Sequence, residues 1–229
     1  MKKIGIIGAL EQEIDLLKSA MKIESTAKNA GITFISGELA GKRAVLAKCG
    51  VGKVNAAICV QAMIDSHNPD CIINTGVAGA IHDVLNIGDI VISKDLVMHD
   101  FDVSPVFPDY KIPEKYTLAD AELVKKAFDA ANGLEKEGMT VHTGRIATGD
   151  CFICESEMKN KIWTDFEALC VEMEGASIAQ ACWMNGVPFV IIRAISDKAD
   201  EEAGVSFEKF VADASKNSSA MITEMLKTL

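Results

Sequence analysis

Acidic residues that follow buried apolar runs are the feature that most constrains how this chain folds. Ile4–Ile7 and Val187–Ile192 are apolar segments, and each is soon followed by a carboxylate, Glu13 or Asp197. A third carboxylate, Glu174, stands at a predicted helix start. Carboxylates beside buried segments are costly unless they are paired or used in chemistry. The pattern therefore indicates an open α/β sheet with a functional site where its strands end.

The rest of the chain alternates strand and helix patterns without a linker. Apolar runs and alternation predict strands at Ile4–Ile7, Ile32–Leu39, Arg43–Lys48, Cys71–Ile73, Asp89–Val97, Met139–Thr148 and Pro188–Ile192. Helical spacing predicts helices at Glu11–Met21, Lys53–Ser66, Leu118–Ala131 (capped by Thr117), Glu157–Asp165, Glu172–Met184 and Phe207–Leu226 (capped by Ser206). This order favours a single α/β domain over residues 1–229, with a central mixed or parallel sheet flanked by helices.

Charge and composition limit the expected partners. The formal net charge is −10, and nucleic acids and anionic membranes select basic surfaces, so we expect neither as a partner. The apolar run after Met1–Lys3 is interrupted by Gly5 and Gly8, which predicts a first strand rather than an export signal. No run has the apolar length of a membrane span. The seven cysteines lie mostly in apolar stretches, which suggests free thiols in the cytoplasm.

Cys151 and Cys154 have the spacing of a redox or metal-binding pair. A zinc site needs a second pair of ligands, and the four histidines are scattered singly at positions 67, 82, 99 and 142. A thioredoxin-like motif needs its own fold context, which this sequence does not offer. We therefore expect two ordinary thiols, no metal and no cofactor.

Glycines stand at four predicted strand ends. Gly50–Gly52 precedes a helix, Gly76–Gly79 follows the strand that ends near Asn74, and Gly8 and Gly149 follow two further strands. Neither longer segment has the Gly-Lys-Ser/Thr of a P-loop or the complete dinucleotide fingerprint. Each is predicted as a tight strand-to-helix turn, where a flat ligand can approach the backbone.

Eight short motifs, taken in order, resemble one family of enzymes. They are Gly5–Ala9, Cys49–Ala57, Ile72–Gly79, Gly88–Val91, His99–Val103, Gly149–Ile153, Val171–Glu174 and Val190–Asp197. This set spans nearly the whole chain and is similar to that of the bacterial 5′-methylthioadenosine/S-adenosylhomocysteine nucleosidases, of the nucleoside phosphorylase superfamily. The resemblance implies a single α/β domain whose mixed sheet curls towards a barrel. It also implies a homodimer, adenine nucleosides as substrates and no cofactor.

The implied reaction is hydrolysis of the N-glycosidic bond to adenine. Positive charge develops on the ribose and negative charge on the leaving base. The base therefore needs a proton, the sugar needs stabilisation, and a water must be directed at the anomeric carbon. The resemblance makes Asp197 the general acid at adenine N7, assigns the water to Glu13 and assigns the ribose hydroxyls to Glu174. Three carboxylates thus match three tasks.

The resemblance also implies the remaining contacts with the substrate. Phe152 stacks on adenine, the backbone of Ile153 binds the edge of the base, and Met173 packs against the sugar. Arg193 pairs with Glu172 beside the site and offsets its buried charge. Further substrate contacts are assigned to Leu10, Val51, Val77, Val103, Glu172, Ser196 and Phe207.

Three places depart from the family pattern. Val77 stands where serine is usual, which removes a hydroxyl near the ribose or the water, and Leu10 stands where methionine is common. The segment Ser104–Tyr110 differs from the usual aromatic, glycine-containing loop. In relatives this loop crosses to the neighbouring subunit and lines the pocket for the 5′-substituent. The range of accepted substrates therefore depends on it.

The residues by themselves leave other interpretations open. Glu13 and Glu174 also fit acids in the first turn of a helix, and Asp197 fits a turn residue. A phosphorolytic relative would need arginine around phosphate, but the chain has three arginines and none falls in the glycine-rich turns. A binding protein without activity would be expected to lack one of the three carboxylates. A nucleosidase for aminodeoxyfutalosine or 5′-deoxyadenosine would share the adenine and ribose contacts.

Overall fold

The apolar runs become strands of one mixed sheet. A computed structural model describes residues 3–107, 116–131 and 139–229. The described residues form ten strands: β1 (Lys3–Gly8), β2 (Lys22–Asn29), β3 (Ile32–Leu39), β4 (Lys42–Lys48), β5 (Cys71–Ala80), β6 (Ile90–Met98), β7 (Thr117–Leu118), β8 (Val141–Thr148), β9 (Cys170–Glu172) and β10 (Phe189–Asp197). They also form six helices: α1 (Glu11–Ala20), α2 (Lys53–His67), α3 (Ala121–Ala131), α4 (Ser156–Phe166), α5 (Gly175–Asn185) and α6 (Ala203–Thr228).

Five strands of the sheet close into a barrel-like ring. β10, β6, β8, β9 and β5 pair in this order, and β5 pairs in turn with β10. β1, β4, β3 and β2 continue the sheet outward from β5. β5 runs parallel to β1 and β10, whereas β6 runs antiparallel to β10. The predicted central mixed sheet, partly barrel-like and flanked by helices, is therefore confirmed.

Helices cover both faces of this sheet. α1 and α3 pack against α6, which lies on β5 and β10, and together they bury one core cluster. α2 packs against α5 and buries a second cluster. Successive residues of β10 alternate between the clusters, since Val190 and Ile192 belong to the first and Ile191 to the second. Burial on both faces explains why the central strands are continuous apolar runs.

Two strands are longer than the sequence predicts. β5 continues through Gly76–Gly79, where the glycines favour a strand-to-helix turn, and β10 continues past Ile192 to Asp197. The glycine at position 76 has a steric reason, because a Cβ there would lie 2.7 Å from Oε1 of Glu13. Glycine in β5 thus marks the close approach of a side chain rather than a turn.

Two helices begin elsewhere than the pattern predicts. α5 begins at Gly175 instead of Glu172, because the preceding residues pair as β9. α6 begins at Ala203, which places Ser206 inside the helix and not at its cap. Among the described residues, no helix combines the length and the hydropathy that a membrane span requires.

The region before α3 and the edge of the sheet also differ from expectation. Thr117 pairs with Leu96 in β7, and the helix is capped instead by Asp120, whose Oδ1 accepts a hydrogen bond from the Leu123 amide at 2.9 Å. β2 is an additional edge strand with all of its residues exposed. An exposed strand carries no apolar signal, which is why the sequence pattern did not indicate it.

Candidate active site

The ends of the strands bring the three predicted carboxylates together. β1, β5 and β10 run parallel, so their carboxyl ends meet at the same edge of the sheet. Glu13 lies in the first turn of α1, directly after β1, and Asp197 is the last residue of β10. Glu174 is the N-cap residue of α5, directly after β9. All three side chains are buried.

Backbone amides hold the carboxylate of Glu13. Its Oε2 accepts hydrogen bonds from the amides of Ala9 and Leu10 at 2.6 and 2.9 Å, and its Oε1 accepts one from Val77 at 3.0 Å. These bonds join the end of β1 to β5 and fix the direction of the carboxylate. Burial raises the pKa of Glu13, and the charge of Arg193 and the three amides oppose this rise.

A buried ion pair lies beside these acids. Nη2 of Arg193 donates to Oε2 of Glu172 and to Oδ1 of Asn74, both at 2.5 Å. Glu172 also accepts hydrogen bonds from the Gly175 amide at 2.7 Å and from the Thr148 hydroxyl. Hydrogen bonds of this kind offset the cost of removing both charges from water. The pair therefore orients the site without adding net charge.

Glu174 lies close to Glu172, and no cation among the described residues forms an ion pair with it. Its Oε1 accepts a hydrogen bond from the Gly52 amide at 2.8 Å, which links the start of α5 to the turn before α2. Burial and the charge of Glu172 raise the pKa of Glu174 to about 8, against the opposing effects of Arg193 and the Gly52 amide. A carboxyl group with such a pKa exchanges its proton near neutrality, as groups in active sites often do.

Asp197 lies at the end of β10 with both oxygens engaged. Its Oδ1 accepts a hydrogen bond from the Ala199 amide and its Oδ2 accepts one from the Ser196 hydroxyl, each at 2.9 Å. Burial raises the pKa of Asp197, and these two bonds partly oppose the rise. A Cβ on Gly79 would lie 2.6 Å from Oδ1, so the glycine leaves room for the acid. A raised pKa keeps a proton available to higher pH, as a general acid requires.

A narrow cleft adjoins Asp197. Its volume is about 30 Å³, and it is lined by Gly79, Cys151, Phe152, Ile153, Val171, Glu172, Met173 and Asp197. The Phe152 side chain is 46% exposed, and the Phe207 ring meets it edge to face with centroids 5.8 Å apart. An exposed aromatic ring beside a buried carboxyl suits a flat ligand that accepts a proton.

A larger cavity of about 470 Å³ lies beside α3, away from these acids. Its lining includes Leu118, Val124 and Phe128, and the described lining residues contain no acid, histidine or cysteine. Converging polar groups with shifted pKa values identify a site better than size does. The narrow cleft is therefore the candidate active site.

Comparisons with known proteins agree with this geometry. The family model of the phosphorylase superfamily matches residues 3–227. A 5′-methylthioadenosine/S-adenosylhomocysteine nucleosidase of Geobacillus kaustophilus is 44% identical over 232 residues, which covers 99% of this chain and 97% of that protein. The chain belongs to this nucleosidase family of the phosphorylase superfamily. The resemblance that the sequence motifs predict is thereby confirmed.

Solved structures share the fold over the whole chain. The nucleosidase of Neisseria meningitidis, in complex with methylthio-immucillin-A, is 42% identical and has a TM-score of 0.95, with 100% of both chains covered. The futalosine hydrolase of Helicobacter pylori is 32% identical and has a TM-score of 0.92, covering 100% of this chain and 98% of that chain. Both the nucleosidase interpretation and its aminodeoxyfutalosine alternative thus have structural relatives.

Several residues assigned by the family resemblance contact the cleft residues or the acids. Leu10 and Val77 reach Glu13 through their backbone amides, so the valine in place of the usual serine keeps this contact. Ser196 donates to Asp197, and Phe207 packs against the exposed ring of the cleft. Phe152, Ile153, Met173 and Glu172 line the cleft directly.

Val51 and Val103 neither line the cleft nor bond to the three acids among the contacts of the described residues. Val51 is 45% exposed and adjoins the Gly52 amide that holds Glu174. Val103 is absent from the described lining of the cleft, and its carbonyl accepts hydrogen bonds from the Val106 and Phe107 amides. The predicted dimer loop continues through residues 108–110, which lie outside the described residues.

Asn74 and Thr148 support the site, although the sequence motifs indicate no role for them. Nδ2 of Asn74 donates to the Ile7 carbonyl at 2.8 Å, while its Oδ1 accepts from Arg193. The Thr148 hydroxyl donates to Glu172 and accepts from the Ala176 amide at 2.8 Å. Polar residues at the ends of otherwise apolar strands are the signal that would have indicated them, because buried polar groups need partners.

Cys151 and Cys154 are free and exposed. Within the part of the chain that the structure describes, no group of three or more His, Cys, Asp or Glu side chains could hold a metal ion. Cys151 lines the cleft next to Phe152. Cys151 therefore borders the site, and the described residues offer the two thiols no second pair of ligands.

Proposed function

We propose that this protein hydrolyses the N-glycosidic bond of 5′-methylthioadenosine and S-adenosylhomocysteine, and that of 5′-deoxyadenosine. The products are adenine and the 5′-substituted ribose, which places the enzyme in methionine salvage and in the recycling of a methylation by-product. The observation that carries the proposal is a set of three buried carboxyl groups at the strand ends, of which Asp197 lines a cleft with an exposed aromatic ring. They supply a proton, a directed water and a contact for the sugar hydroxyls.

In this proposal Asp197 is the general acid. Adenine stacks on Phe152, and the backbone of Ile153 binds the edge of the base. Burial raises the pKa of Asp197, which keeps it protonated to higher pH than an ordinary aspartic acid. Transfer of this proton to N7 makes adenine a neutral leaving group, so the bond to the ribose breaks with less charge separation.

Glu13 and Glu174 act on the sugar side of the bond. Glu13 orients the attacking water and takes its proton; burial raises the pKa of Glu13 and so makes the carboxylate a stronger base. Glu174 accepts hydrogen bonds from the ribose hydroxyls, and Met173 packs against the ring. The buried ion pair of Arg193 and Glu172 lies beside these groups and helps to fix their positions.

Water is favoured over phosphate as the attacking group. An ionised Glu13 about 4 Å from a phosphate would oppose its binding by about 4 kcal/mol at an effective dielectric of about 20. All three arginines lie in the described residues: Arg193 is engaged in the buried ion pair, Arg145 pairs with Asp95 at 2.5 Å, and Arg43 lies on β4. Arg43 lies opposite Lys3 at the start of β1, whereas Glu13 follows the other end of that strand, so none of the three arginines is placed to bind the phosphate that phosphorolysis requires.

Aminodeoxyfutalosine is the alternative substrate. The futalosine hydrolase of H. pylori has the same fold, and both substrates would use the same adenine and ribose contacts. The two reactions differ at the 5′-substituent, which we assign to the loop over Val103–Tyr110. The curated relative at 44% identity is named for methylthioadenosine and adenosylhomocysteine, which favours these as the substrates.

Adenine release from four nucleosides tests the proposal. The purified protein is incubated with methylthioadenosine, adenosylhomocysteine, 5′-deoxyadenosine and aminodeoxyfutalosine, each with and without phosphate, and products are separated by chromatography. We expect the highest kcat/KM with the first two and a rate that phosphate and metal chelation leave unchanged. A ribose-1-phosphate product, or a preference for aminodeoxyfutalosine by more than about tenfold, would overturn the proposal. If chelation abolishes activity and zinc restores it, Cys151 and Cys154 would have to be reconsidered as zinc ligands.

We further propose that the protein is a cytoplasmic homodimer without nucleic-acid or membrane partners. The neighbouring helices α2 and α5 expose large apolar side chains, including Val54 (70% exposed), Trp183 (54%) and Met184 (66%). Such a surface suits an interface between copies of the chain. The seven cysteines, all in the part of the chain that the structure describes, form no disulfide there, which supports a reducing compartment. The net charge of −10 argues against polyanionic partners.

A further inference from the structure

Lys53 lies where three loops beside the site meet. It faces Asp100, two residues after the end of β6, and Asp150, two residues after the end of β8. Its Nζ is 2.5 Å from Oδ1 of Asp100 and 3.6 Å from Oδ2 of Asp150. Its amide donates to Oδ1 of Asp150, and the Asp150 amide donates to Oδ2 of Asp100, both at 2.9 Å. Each member of this Lys53 cluster, comprising Lys53, Asp100 and Asp150, is thus bonded to the other two.

The Lys53 cluster connects to Glu174 along two routes. The Gly52 amide, one residue before Lys53, donates to Oε1 of Glu174 at 2.8 Å. The carbonyl of Lys53 accepts a hydrogen bond at 2.8 Å from the hydroxyl of Ser177, which lies in the first turn of α5. The backbone of Lys53 therefore bridges the helix that Glu174 begins and the loop after β8.

The turn before Lys53 has a backbone conformation that needs support. Gly52 has a φ of +97°, and a Cβ there would lie 3.2 Å from Oδ1 of Asp150. Glycine adopts such a φ freely but loses the most conformational entropy when it is fixed. Burial tends to raise the pKa of Asp100, yet the bonds from Lys53 and the Asp150 amide bring it below its ordinary value. Asp100 therefore remains a negative partner for Lys53 at neutral pH.

We propose that Lys53 is a positioning residue for Glu174. The Lys53 cluster fixes the Gly52 turn, and the Gly52 amide then holds the Glu174 carboxyl towards the ribose hydroxyls. This inference rests on the proposed function, in which Glu174 binds the sugar. The expected effect is selective. Without the Lys53 cluster, contacts with the ribose weaken, whereas stacking of adenine on Phe152 persists.

Two ligands separate these effects in the test. Adenine release by the wild-type enzyme is measured first, so that a failure of the proposed function is recognised on its own. Calorimetry then measures binding of adenine and of a non-cleavable methylthioadenosine analogue to Lys53→Met. We expect the affinity for the analogue to fall by about tenfold or more and the affinity for adenine to stay within about twofold. Lys53→Arg, which keeps the cation, should bind the analogue within about threefold of wild type.

A double-mutant cycle tests whether Lys53 acts through Glu174. In a Glu174→Gln background, Lys53→Met should change the affinity for the analogue by less than about twofold, because the group that it positions is already altered. Lys125→Met, an exposed lysine paired with Asp129 on α3, is the matched control and should leave both affinities unchanged.

Three results would overturn the inference. An equal loss of affinity for adenine and for the analogue would indicate general loosening of the loops. An unchanged affinity for the analogue would show that Lys53 positions nothing that the ribose contacts. A loss in the Glu174→Gln background as large as that in the wild type would mean that the two residues act independently. If the thermal melt shows that Lys53→Met does not fold, Asp100→Asn is tested instead, because it breaks the same ion pair. The same results would then support or overturn the inference.

Discussion

Glu13, Glu174 and Asp197 are carboxyl groups whose surroundings differ although all three are buried. Glu13 has three amides and the nearby charge of Arg193, whereas Asp197 has one amide and one hydroxyl. Glu174 has one amide and an acidic neighbour, and its pKa rises to about 8. Differences of this kind let neighbouring carboxyl groups serve as acid, base and hydrogen-bond acceptor within one site.

Asp197→Asn tests the assignment of the acid. Asparagine keeps the shape of the side chain, and its oxygen can still accept the bond from the Ala199 amide. It has no transferable proton, so we expect kcat to fall by about 10²–10⁴. Substrate binding should weaken much less, because stacking on Phe152 remains. Steady-state kinetics and calorimetry check this, and a kcat within about threefold of wild type would place the acid elsewhere.

Glu13→Gln provides the comparison for that experiment. Glutamine keeps one oxygen, which can accept the bonds from the Ala9 and Leu10 amides. Its amide nitrogen cannot accept the Val77 bond, and the side chain cannot take a proton from water. We therefore expect turnover to be lost, as expected for Asp197→Asn, down to a residual rate at most, while the affinity for adenine stays nearly unchanged. If adenine binding falls together with turnover, Glu13 contributes to the base pocket rather than to the water.

Glu174 makes stability depend on pH. Its pKa is about 8 in the folded protein, above the ordinary value of 4.5, so the folded state holds a proton that the unfolded state releases between these values. The contribution of this group to the free energy of unfolding is therefore fully present below pH 4.5 and is lost as the pH rises through 8. Glu174→Gln removes the buried charge. We expect its stability relative to wild type to improve by about 1–3 kcal/mol between pH 5 and pH 8.5.

Urea unfolding at the two pH values, at equal protein concentration, measures this effect. The exposed acid Glu122 in the first turn of α3 supplies the control variant, Glu122→Gln. Its stability relative to wild type should be nearly the same at both pH values. A Glu174→Gln variant that gains nothing at the higher pH would mean that water or a partner group stabilises the ionised form.

At the scale of the elements, the sequence predicts the order and the type of the strands and helices better than the residues at which they begin and end. The apolar runs of β1 and β10 identify buried strands because both faces are covered. The end of β5 is missed, since Gly76–Gly79 has the composition of a turn but is needed where Glu13 and Asp197 approach the strand. The site follows the same rule: the motifs locate its acids, whereas the partners Asn74 and Thr148 depend on tertiary contacts.

The role of Asp120 as the cap at the start of α3 can be tested. Oδ1 of Asp120 accepts the hydrogen bond of the Leu123 amide at 2.9 Å, which satisfies a donor that the helix itself leaves unpaired. Asp120→Ala should lower the free energy of unfolding by about 1 kcal/mol. Asp129→Ala, which removes an exposed pair with Lys125, should cost no more than about 0.5 kcal/mol. Equal losses in urea unfolding would show that Asp120 does not act as the cap.

At the scale of the whole molecule, the exposed apolar surface is as informative as the cleft. α2 and α5 lie side by side and expose Ile58, Trp183 and Met184. Two phenylalanines are also more than half exposed. Phe101 lies just before the predicted dimer loop, and Phe107 lies in the part of that loop that the structure describes. Large exposed apolar patches usually mark an interface, and a two-fold axis would place the same patch of both copies in contact. This is the physical basis for the expected homodimer.

Ile58→Lys tests this assembly. Each charge would appear twice across a two-fold interface, so burial and mutual repulsion should both oppose association. For a chain of 24.6 kDa, light scattering should report about twice that mass for the wild type and the monomer mass for the variant. The variant should also lose activity at low concentration, because the loop that we assign to the partner's 5′-substituent pocket is then absent. Ile23→Lys, on the exposed edge strand β2, is the control at similar exposure (49% against 45%) and should remain dimeric. A wild-type monomer with full activity at low concentration would rule out both the dimer and the shared pocket.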